Sequence, residues 1–527
     1  MNDQEIARSV KLKPITEIGS MLGLQPEEIV PYGKFMGKIP LKKLQELEGK
    51  PDGKLVLVTA MNPTSAGEGK TTTSIGLSMA FNRLGVSSVV TLREPSLGPV
   101  MGIKGGATGG GRAQIGPMEE INLHFTGDIH AVTSAHNLLS AMVDAALKFS
   151  TVDLDPTRIV WPRAMDMNDR ALRQIVVGLG GSANGYPRED EFVITAASEV
   201  MAIFCLSKNL QDLKERLSRI IVGYSKRRHP VTAGDLRAHG AMAVLLKDAI
   251  NPNLVQTLEH TPALVHGGPF ANIAHGTNSV LATKLALKLS DVVVTEAGFG
   301  ADLGGEKFLD FVSRVGGFDV NGIVIVASLK ALKYHGGMDR RKLNNEDTSA
   351  IERGFENLLV HYENMSSFGV PAVVALNKFD TDTNRELEHF ERLCGSYGMD
   401  CIVNDAWAKG GKGAIDLAKW LLQRMPDQVV LKRVYDEEDH ITDKIEKIAK
   451  RVYRASEVVY SKEALSALKT IERLGFERLP VIVAKTQYSL SDDPKLLGAP
   501  KNHVITIKDL KVAAGAGFMV AVAGNIL

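Results

Sequence analysis

The chain has 527 residues, 23% of them charged, and 62 lysines and arginines against 61 aspartates and glutamates give a formal net charge of +1. So balanced a composition creates no field to draw in nucleic acid or a membrane surface. No apolar run approaches the roughly 20 residues of a membrane span, and the start Met1-Asn-Asp-Gln-Glu5 is polar rather than a secretory leader. Cys205, Cys394 and Cys401 lack metal-ligand spacing and cannot make a disulfide framework, so a cytoplasmic, reduced protein is expected.

In chain order, residues 3–10, 26–32 and 41–47 read as short amphipathic helices, with the packing turn Tyr32-Gly-Lys-Phe35 between them. The β-branched apolar run Lys54 to Thr59 is expected as a buried strand. Lys70 to Leu84 has helical spacing of Ile75, Leu77, Met79, Ala80 and Leu84. Between them lies Asn62-Pro-Thr-Ser-Ala-Gly-Glu-Gly-Lys-Thr-Thr-Thr73. Strand, glycine-containing loop, Lys-Thr and helix together make a phosphate cradle. Gly67 and Gly69 let backbone N–H groups turn inward, and the helix N-terminus adds partial positive charge. Thr64, Ser65, Ala66, Gly67, Glu68, Gly69, Lys70, Thr71 and Thr72 are expected to hold the phosphates of ATP. Lys70 reaches the β- and γ-phosphates, and the Thr71 hydroxyl is the expected Mg2+ ligand. The usual pattern has glycine at position 64, where this chain has Thr64. The competing reading is an ordinary glycine turn before a helix.

A strand at 87–91 completes a βαβ unit. Leu92-Arg-Glu-Pro-Ser-Leu-Gly then opens a glycine-rich loop running to Gly111, with Arg93 and Lys104 among its glycines. Loops of this kind wrap a ligand or stay disordered, and the cations and tight flanks favour a ligand. Ile121 to His130 brings His124, Asp128 and His130 together in sequence, a weak metal spacing better read as a polar substrate wall. Residues 131–286 look like a mostly helical insertion, with helices expected at 131–149, 167–177, 196–206, 210–224 and 235–250.

Four apolar strands follow, at 291–296, 322–327, 370–376 and 401–404. Each ends in glycine, charge or an aromatic: Ala297-Gly-Phe-Gly300, Ser328-Leu-Lys-Ala-Leu-Lys-Tyr-His-Gly-Gly337, Asn377-Lys-Phe-Asp380 and Asp405-Ala-Trp-Ala-Lys-Gly-Gly411. Ligands of open parallel sheets sit beyond these carboxyl ends. Asn377-Lys-Phe-Asp380 matches the guanine-reading tetrapeptide of GTP-binding proteins, but helix capping by Asp380 is an alternative. Phe379 and Trp407 suit stacking on any purine. The glycines flanking Phe299 let the backbone present that ring to a ligand, or it plugs the sheet edge.

The fold class expected is α/β: a P-loop NTPase-like, mostly parallel sheet flanked by helices, with a large mainly helical insertion and a C-terminal α/β domain. The corresponding division is 1–130 with 287–361 as nucleotide-binding core, 131–286 as an insertion contributing to the folate site, and 362–527 supplying the adenine pocket. The folate and adenine assignments rest on a resemblance. The phosphate loop, the loop Gly102-Ile-Lys-Gly-Gly-Ala-Thr-Gly-Gly-Gly111, Val326-Ala-Ser-Leu-Lys-Ala-Leu-Lys-Tyr-His-Gly-Gly337, His266-Gly-Gly-Pro-Phe-Ala-Asn-Ile-Ala-His275 and Ala484-Lys-Thr-Gln-Tyr-Ser-Leu-Ser-Asp-Asp-Pro494 together resemble the formate–tetrahydrofolate ligase family, in order along the chain.

That resemblance implies joining of formate to tetrahydrofolate with Mg2+ and ATP, through formyl phosphate, in a homo-oligomer (a tetramer) that also takes a monovalent cation, K+ or NH4+. It implies Lys70 and Arg93 as catalytic groups, Phe299 against the pteridine or intermediate, and Asn377, Phe379 and Trp407 around adenine. Lys104, Gly105, His124 and Asp128 are the further expected folate or formyl phosphate contacts. The chain departs from the family pattern at Thr108, Arg112, Glu191, Ser328 and Lys330, and it stops at Gly524-Asn-Ile-Leu527 where relatives continue. Two other functions compete. One is a P-loop GTPase using Asn377-Lys-Phe-Asp380, and the other is a non-catalytic nucleotide-binding subunit of one-carbon metabolism.

Overall fold

The computed structural model describes residues 2–64, 67–102 and 106–524. Its 12-stranded sheet is built around β1 (Lys54–Ala60), β2 (Ser88–Leu92), β3 (Asn253–Thr257), β4 (Pro262–Val265), β5 (Val292–Glu296), β6 (Gly322–Ala327), β7 (Ala372–Asn377) and β8 (Cys401–Asn404). These run β3-β4-β2-β5-β1-β6-β7-β8 across the sheet. From β4 to β8 every neighbouring pair is parallel, while β3 and β4 form an antiparallel hairpin.

Side chains alternate along a strand, so a strand covered on both faces needs apolar residues at every position. β1 sends Leu55 and Leu57 into one apolar core and Val56, Val58 and Ala60 into the other. β6 divides Ile323, Ile325 and Ala327 from Val324 and Val326 in the same way. The helix after the phosphate loop, α1 (Lys70–Arg83), is buried continuously from Thr72 to Phe81. Its Gly76 lets Ala406 approach closely, since a Cβ at that position would lie 2.4 Å from the Ala406 methyl.

The other helices used below are α2 (Asp128–Phe149), α3 (Glu199–Leu206), α4 (Val280–Leu289), α5 (Leu329–His335), α6 (Thr348–Ser366) and α7 (Asn384–Ser396). A second sheet, ordered β9-β11-β12-β10, contains β9 (Glu457–Tyr460), β10 (Val481–Ala484), β11 (Val504–Ala513) and β12 (Phe518–Ala523). A fully buried ion pair, Lys485 to Asp302 at 2.7 Å, fastens it to the segment after β5.

The sheet does not follow the divisions expected from sequence. β3 and β4 lie inside 131–286, and β7 and β8 lie beyond 361, yet all four belong to the central sheet. Nor is 131–286 mainly helical. The helix expected at 167–177 is a single 3-10 turn, Arg170–Leu172, followed by a strand at Ile175–Val177. The one expected at 210–224 stops at Ser218, and the β-branched run that follows becomes the strand Ile221–Tyr224.

Cys394 and Cys401, expected as thiols, are disulfide-bonded and staple the end of α7 to the start of β8, with Cα atoms 6.3 Å apart. Cys205 is free and buried. No helix among the described residues is long and apolar enough to cross a membrane.

Burial holds the imidazoles of His136, His335 and His361 down at about 4, and those of His266 and His275 at about 3, from an ordinary 6.5. Above the ordinary value these rings are neutral whether the chain is folded or not. Below it the unfolded chain takes up protons that the folded chain refuses, so stability falls as pH falls. Buried carboxyls act the other way over the same interval: Glu199 and Asp310, pushed up to about 7 and about 6, take up protons in the folded chain first, so the net pH dependence reflects both sets of groups.

Candidate active site

The carboxyl ends of β1, β2 and β5 converge on a cavity of about 490 Å³, lined by the phosphate loop, Lys70, Thr71, Arg93, Glu94, Glu296, Phe299 and the segment Gln487-Tyr488. The loop is held from behind. Asn62, fully buried after β1, donates its side-chain amide to Asp302 at 3.1 Å and to the Gln487 carbonyl at 3.2 Å. Glu68 turns its carboxylate inward, accepting from the Thr64 N–H at 2.7 Å and from the Ser328 hydroxyl. Gly69 then enters α1 at φ 78°, and a Cβ there would strike the Asn377 amide at 2.2 Å. Glycine is therefore required at position 69 on both conformational and steric grounds.

From this support the N-terminus of the 14-residue α1 opens on the cavity, offering partial positive charge and backbone N–H groups to an anion. Lys70 begins the helix, and the Thr71 hydroxyl donates to the Glu296 carboxylate at 2.8 Å. Arg93, immediately after β2, lies with its guanidinium 3.8 Å from the other Glu296 oxygen. Beside it Glu94 is 4% exposed, and its Oε2 has no hydrogen-bond partner. Burial, reinforced by the nearby Asp128 charge, holds the Glu94 carboxyl well above the usual carboxylate range. Phe299 stands in the loop after β5 at φ 59°, which a phenylalanine rarely adopts. Its glycine neighbours serve close packing, since a Cβ at 298 would lie 2.7 Å from the Ala271 Cβ and one at 300 would lie 2.5 Å from Asp302 Oδ1, and Phe299 lines the cavity.

The structure thus brings Thr64, Gly67, Glu68, Gly69, Lys70, Thr71, Thr72, Arg93 and Phe299 to one cavity. Ser65, Ala66, Lys104 and Gly105 lie outside the described residues, as does the 525–527 end of the chain.

Other expected contacts are elsewhere. Asp128 is 2% exposed and pairs with the equally buried Lys38 at 2.8 Å, while the Asn253 amide donates to it at 2.7 Å. Its oxygens are consumed inside the protein, so its assignment as a folate contact is withdrawn. His124 is exposed, bonded to His130 at 2.8 Å, and does not line the cavity. Asn377 is 4% exposed, does not line this cavity and donates to the Glu68 carbonyl at 3.2 Å, bracing the phosphate loop. Asp380 is not the helix cap. Thr383 caps α7, with Glu386 completing the capping box.

Phe379 and Trp407 follow neighbouring strands, β7 and β8, which pair in register at Asn377 and Asn404. Neither lines the cavity around the phosphate loop. The Lys330 ammonium sits 4.6 Å from the Phe379 ring centroid, and Trp407, 37% exposed, lies against the backbone of the glycine loop at Gly110 and Gly111.

Among the cavity residues to which the sequence assigns no role are Glu94, Glu296 and Tyr488. Glu296 carried a signal, an acid closing an otherwise apolar strand. Tyr488 lies within Ala484-Lys-Thr-Gln-Tyr-Ser-Leu-Ser-Asp-Asp-Pro494, a stretch shared with the family pattern.

A parallel sheet whose strand ends bring a glycine-containing loop, a helix N-terminus, a lysine, an arginine and an acid around one cavity has the layout of an α/β enzyme whose site suits an anionic ligand. The comparisons with known proteins narrow this class. The family described as formate–tetrahydrofolate ligase matches residues 1–527. The formate–tetrahydrofolate ligase of Petrotoga mobilis is 60% identical over 527 residues, covering 100% of this chain and 95% of that protein. That of Thermosipho africanus is 60% identical over 526 residues, and that of Thermotoga maritima 58% over 516, each covered over 95% of its length. The chain belongs to the formate–tetrahydrofolate ligase family and is a ligase.

Proposed function

We propose that the cavity at the N-terminus of α1 is where formate and ATP react to formyl phosphate and where tetrahydrofolate then takes the formyl group. The chain is an ATP-dependent ligase of formate and tetrahydrofolate. The observation that carries the siting is the convergence of Lys70, Thr71 and Arg93 on one cavity at the end of a helix. A formate oxygen attacks the γ-phosphorus, the bond to the β-bridging oxygen breaks, and ADP leaves. The folate amine then attacks the formyl carbon, the carbon–oxygen bond to phosphate breaks, and inorganic phosphate departs with the formate oxygen.

Phosphoryl transfer asks little covalent chemistry of the protein and much positioning and charge neutralisation. Lys70 and the α1 N–H groups hold the nucleotide phosphates. Arg93 supplies a planar donor fork for the transferred group or its anhydride. Phe299 offers the folate ring a flat partner at the same rim. Mg2+ arriving with ATP would supply charge neutralisation, and the Thr71 hydroxyl is the protein oxygen that would hold it. Phe379 and Trp407 are kept as the adenine contacts on the strength of the family resemblance and their adjacent strand ends.

The same resemblance supports a P-loop NTPase-like core, a homotetramer, a monovalent-cation requirement and a cytoplasmic location. The test omits one substrate at a time. Formyl product and ADP should appear in equal amounts only when formate, ATP and tetrahydrofolate are all present. Nucleotide hydrolysis without formate or folate would favour a GTPase, and nucleotide binding with neither hydrolysis nor formyl product a non-catalytic subunit.

A further inference from the structure

We propose that Tyr488 contacts the p-aminobenzoyl ring of tetrahydrofolate, and that Lys485 is the positioning residue that holds the loop presenting it. Both roles rest on the assignment of the cavity to the ligase reaction.

Part of the cavity wall comes from the second sheet. β10 ends at Ala484, and just beyond it Gln487 and Tyr488 line the same cavity as Lys70, Arg93 and Phe299. Lys485, between the strand and these two, is fully buried. Its ammonium has three acceptors: Asp302 at 2.7 Å, the Thr486 carbonyl at 3.1 Å and the Ser489 carbonyl. An ammonium has three protons, so none is left over. Two of them go to the backbone on either side of Gln487 and Tyr488. The Gln487 carbonyl accepts from the Asn62 amide at 3.2 Å, where the phosphate loop leaves β1. A buried ion pair adds little net stability. What this one supplies is a fixed place for the loop 486–489, tied to the end of β1 and to the segment after Phe299.

Tyr488 itself is half-buried. Among the described residues its one hydrogen bond runs from its backbone N–H to the Thr486 hydroxyl, at 3.3 Å. The ring is therefore placed by the loop and not by a bond of its own. A tyrosine ring offers an apolar face and a polar edge. A cation stands beside it, since the exposed Arg340 guanidinium lies 6.0 Å from the Tyr488 ring centroid.

Formate carries no ring, and adenine is assigned to Phe379 and Trp407, which do not line this cavity. Tetrahydrofolate remains. Its formyl-accepting amine is an arylamine, bonded directly to the p-aminobenzoyl ring. That ring must follow the amine into the cavity where Lys70 and Arg93 hold the formyl donor. The pteridine is joined to the amine through a methylene and has Phe299 as its expected partner, so the benzoyl ring needs a second one. Beyond the benzoyl ring come the glutamate carboxylates, which suit an exposed arginine beside Tyr488.

The test reads binding rather than turnover. Affinity for p-aminobenzoylglutamate is measured by calorimetry for the wild-type chain, Tyr488→Ala, Tyr488→Phe and the double variant Asp302→Asn/Lys485→Met, which leaves no buried charge alone. Tyr488→Ala should bind the fragment about tenfold or more weakly, the usual effect of removing a stacking ring. Tyr488→Phe keeps the ring and should stay within about threefold of wild type. The double variant should lose as much as Tyr488→Ala, and adding Tyr488→Ala to it should cost nothing further, because both remove one unit. Affinity for adenosine 5′-(β,γ-imido)triphosphate should stay within about threefold throughout, as expected of an independent site, and so reports an intact phosphate loop.

Undiminished fragment binding in Tyr488→Ala overturns the proposal, as does an equal loss of nucleotide affinity. Wild-type binding in the double variant, or its loss together with nucleotide affinity, would make Lys485 structural only. No fragment binding to the wild type overturns the proposal and leaves the ligase reading to be decided by formyl product. A wild-type chain that binds the fragment through Tyr488 but makes no formyl product refutes only the ligase reading.

Discussion

Replacing Lys70 with alanine should lower turnover by about 10²–10³-fold, the usual cost of removing one preorganised charge from a developing oxyanion. The expectation follows from its place. Lys70 is the first residue of α1, its backbone joins the cradle, and its side chain lines the same cavity as Thr71, Arg93 and Glu296. Lys70 is half-buried, and the packing that fixes α1 comes from Thr72 to Phe81. Tetrahydrofolate affinity should therefore change much less than turnover, and the Tm should stay close to wild type. Turnover within tenfold of wild type would remove Lys70 from the phosphoryl transfer.

Phe299→Ala should weaken tetrahydrofolate use by roughly tenfold to a hundredfold, since stacking on an aromatic ring is commonly worth ~1–3 kcal/mol. Phe299 adopts φ 59°, and backbone strain of this kind persists where the surroundings over-determine it. It is half-buried, unlike Phe308, which is fully buried in the core nearby. A ring held out of the apolar core and against the cavity is suited to a ligand. Nucleotide affinity should be nearly unchanged in this variant. Loss of nucleotide binding and thermal stability together, with folate affinity intact, would instead mean that Phe299 plugs the sheet edge.

Much of the site was legible because it is local. The strands Gly322–Ala327 and Cys401–Asn404 fall where their apolar runs end, and Lys70, Thr71 and Arg93 occupy the strand-end positions that a βαβ unit gives them. Thr383 was also readable as a cap, because Thr-Asn-Arg-Glu386 is a capping box, but the Asn-Lys-x-Asp match drew attention to Asp380 instead. What escaped depends on partners distant in sequence. Asp128 looked like a ligand until Lys38, 90 positions away, took its charge. The bracing role of Asn377 was hidden as well, because its amide lies beneath Gly69 and Glu68 on the neighbouring loop. The hairpin of β3 and β4 was hidden for a similar reason. Short apolar runs do not distinguish strand from helix by periodicity, and only pairing with β2 and the 37–38 strand decides it.

The most direct measurement follows oxygen from formate to phosphate. If formate attacks the γ-phosphorus at this site, a single turnover with [18O]formate should release inorganic phosphate carrying one labelled oxygen, with the second label left in the formyl group. Phosphate released without label, while the formyl product forms, would show that no formyl phosphate is made and would contradict the proposed chemistry of the cavity.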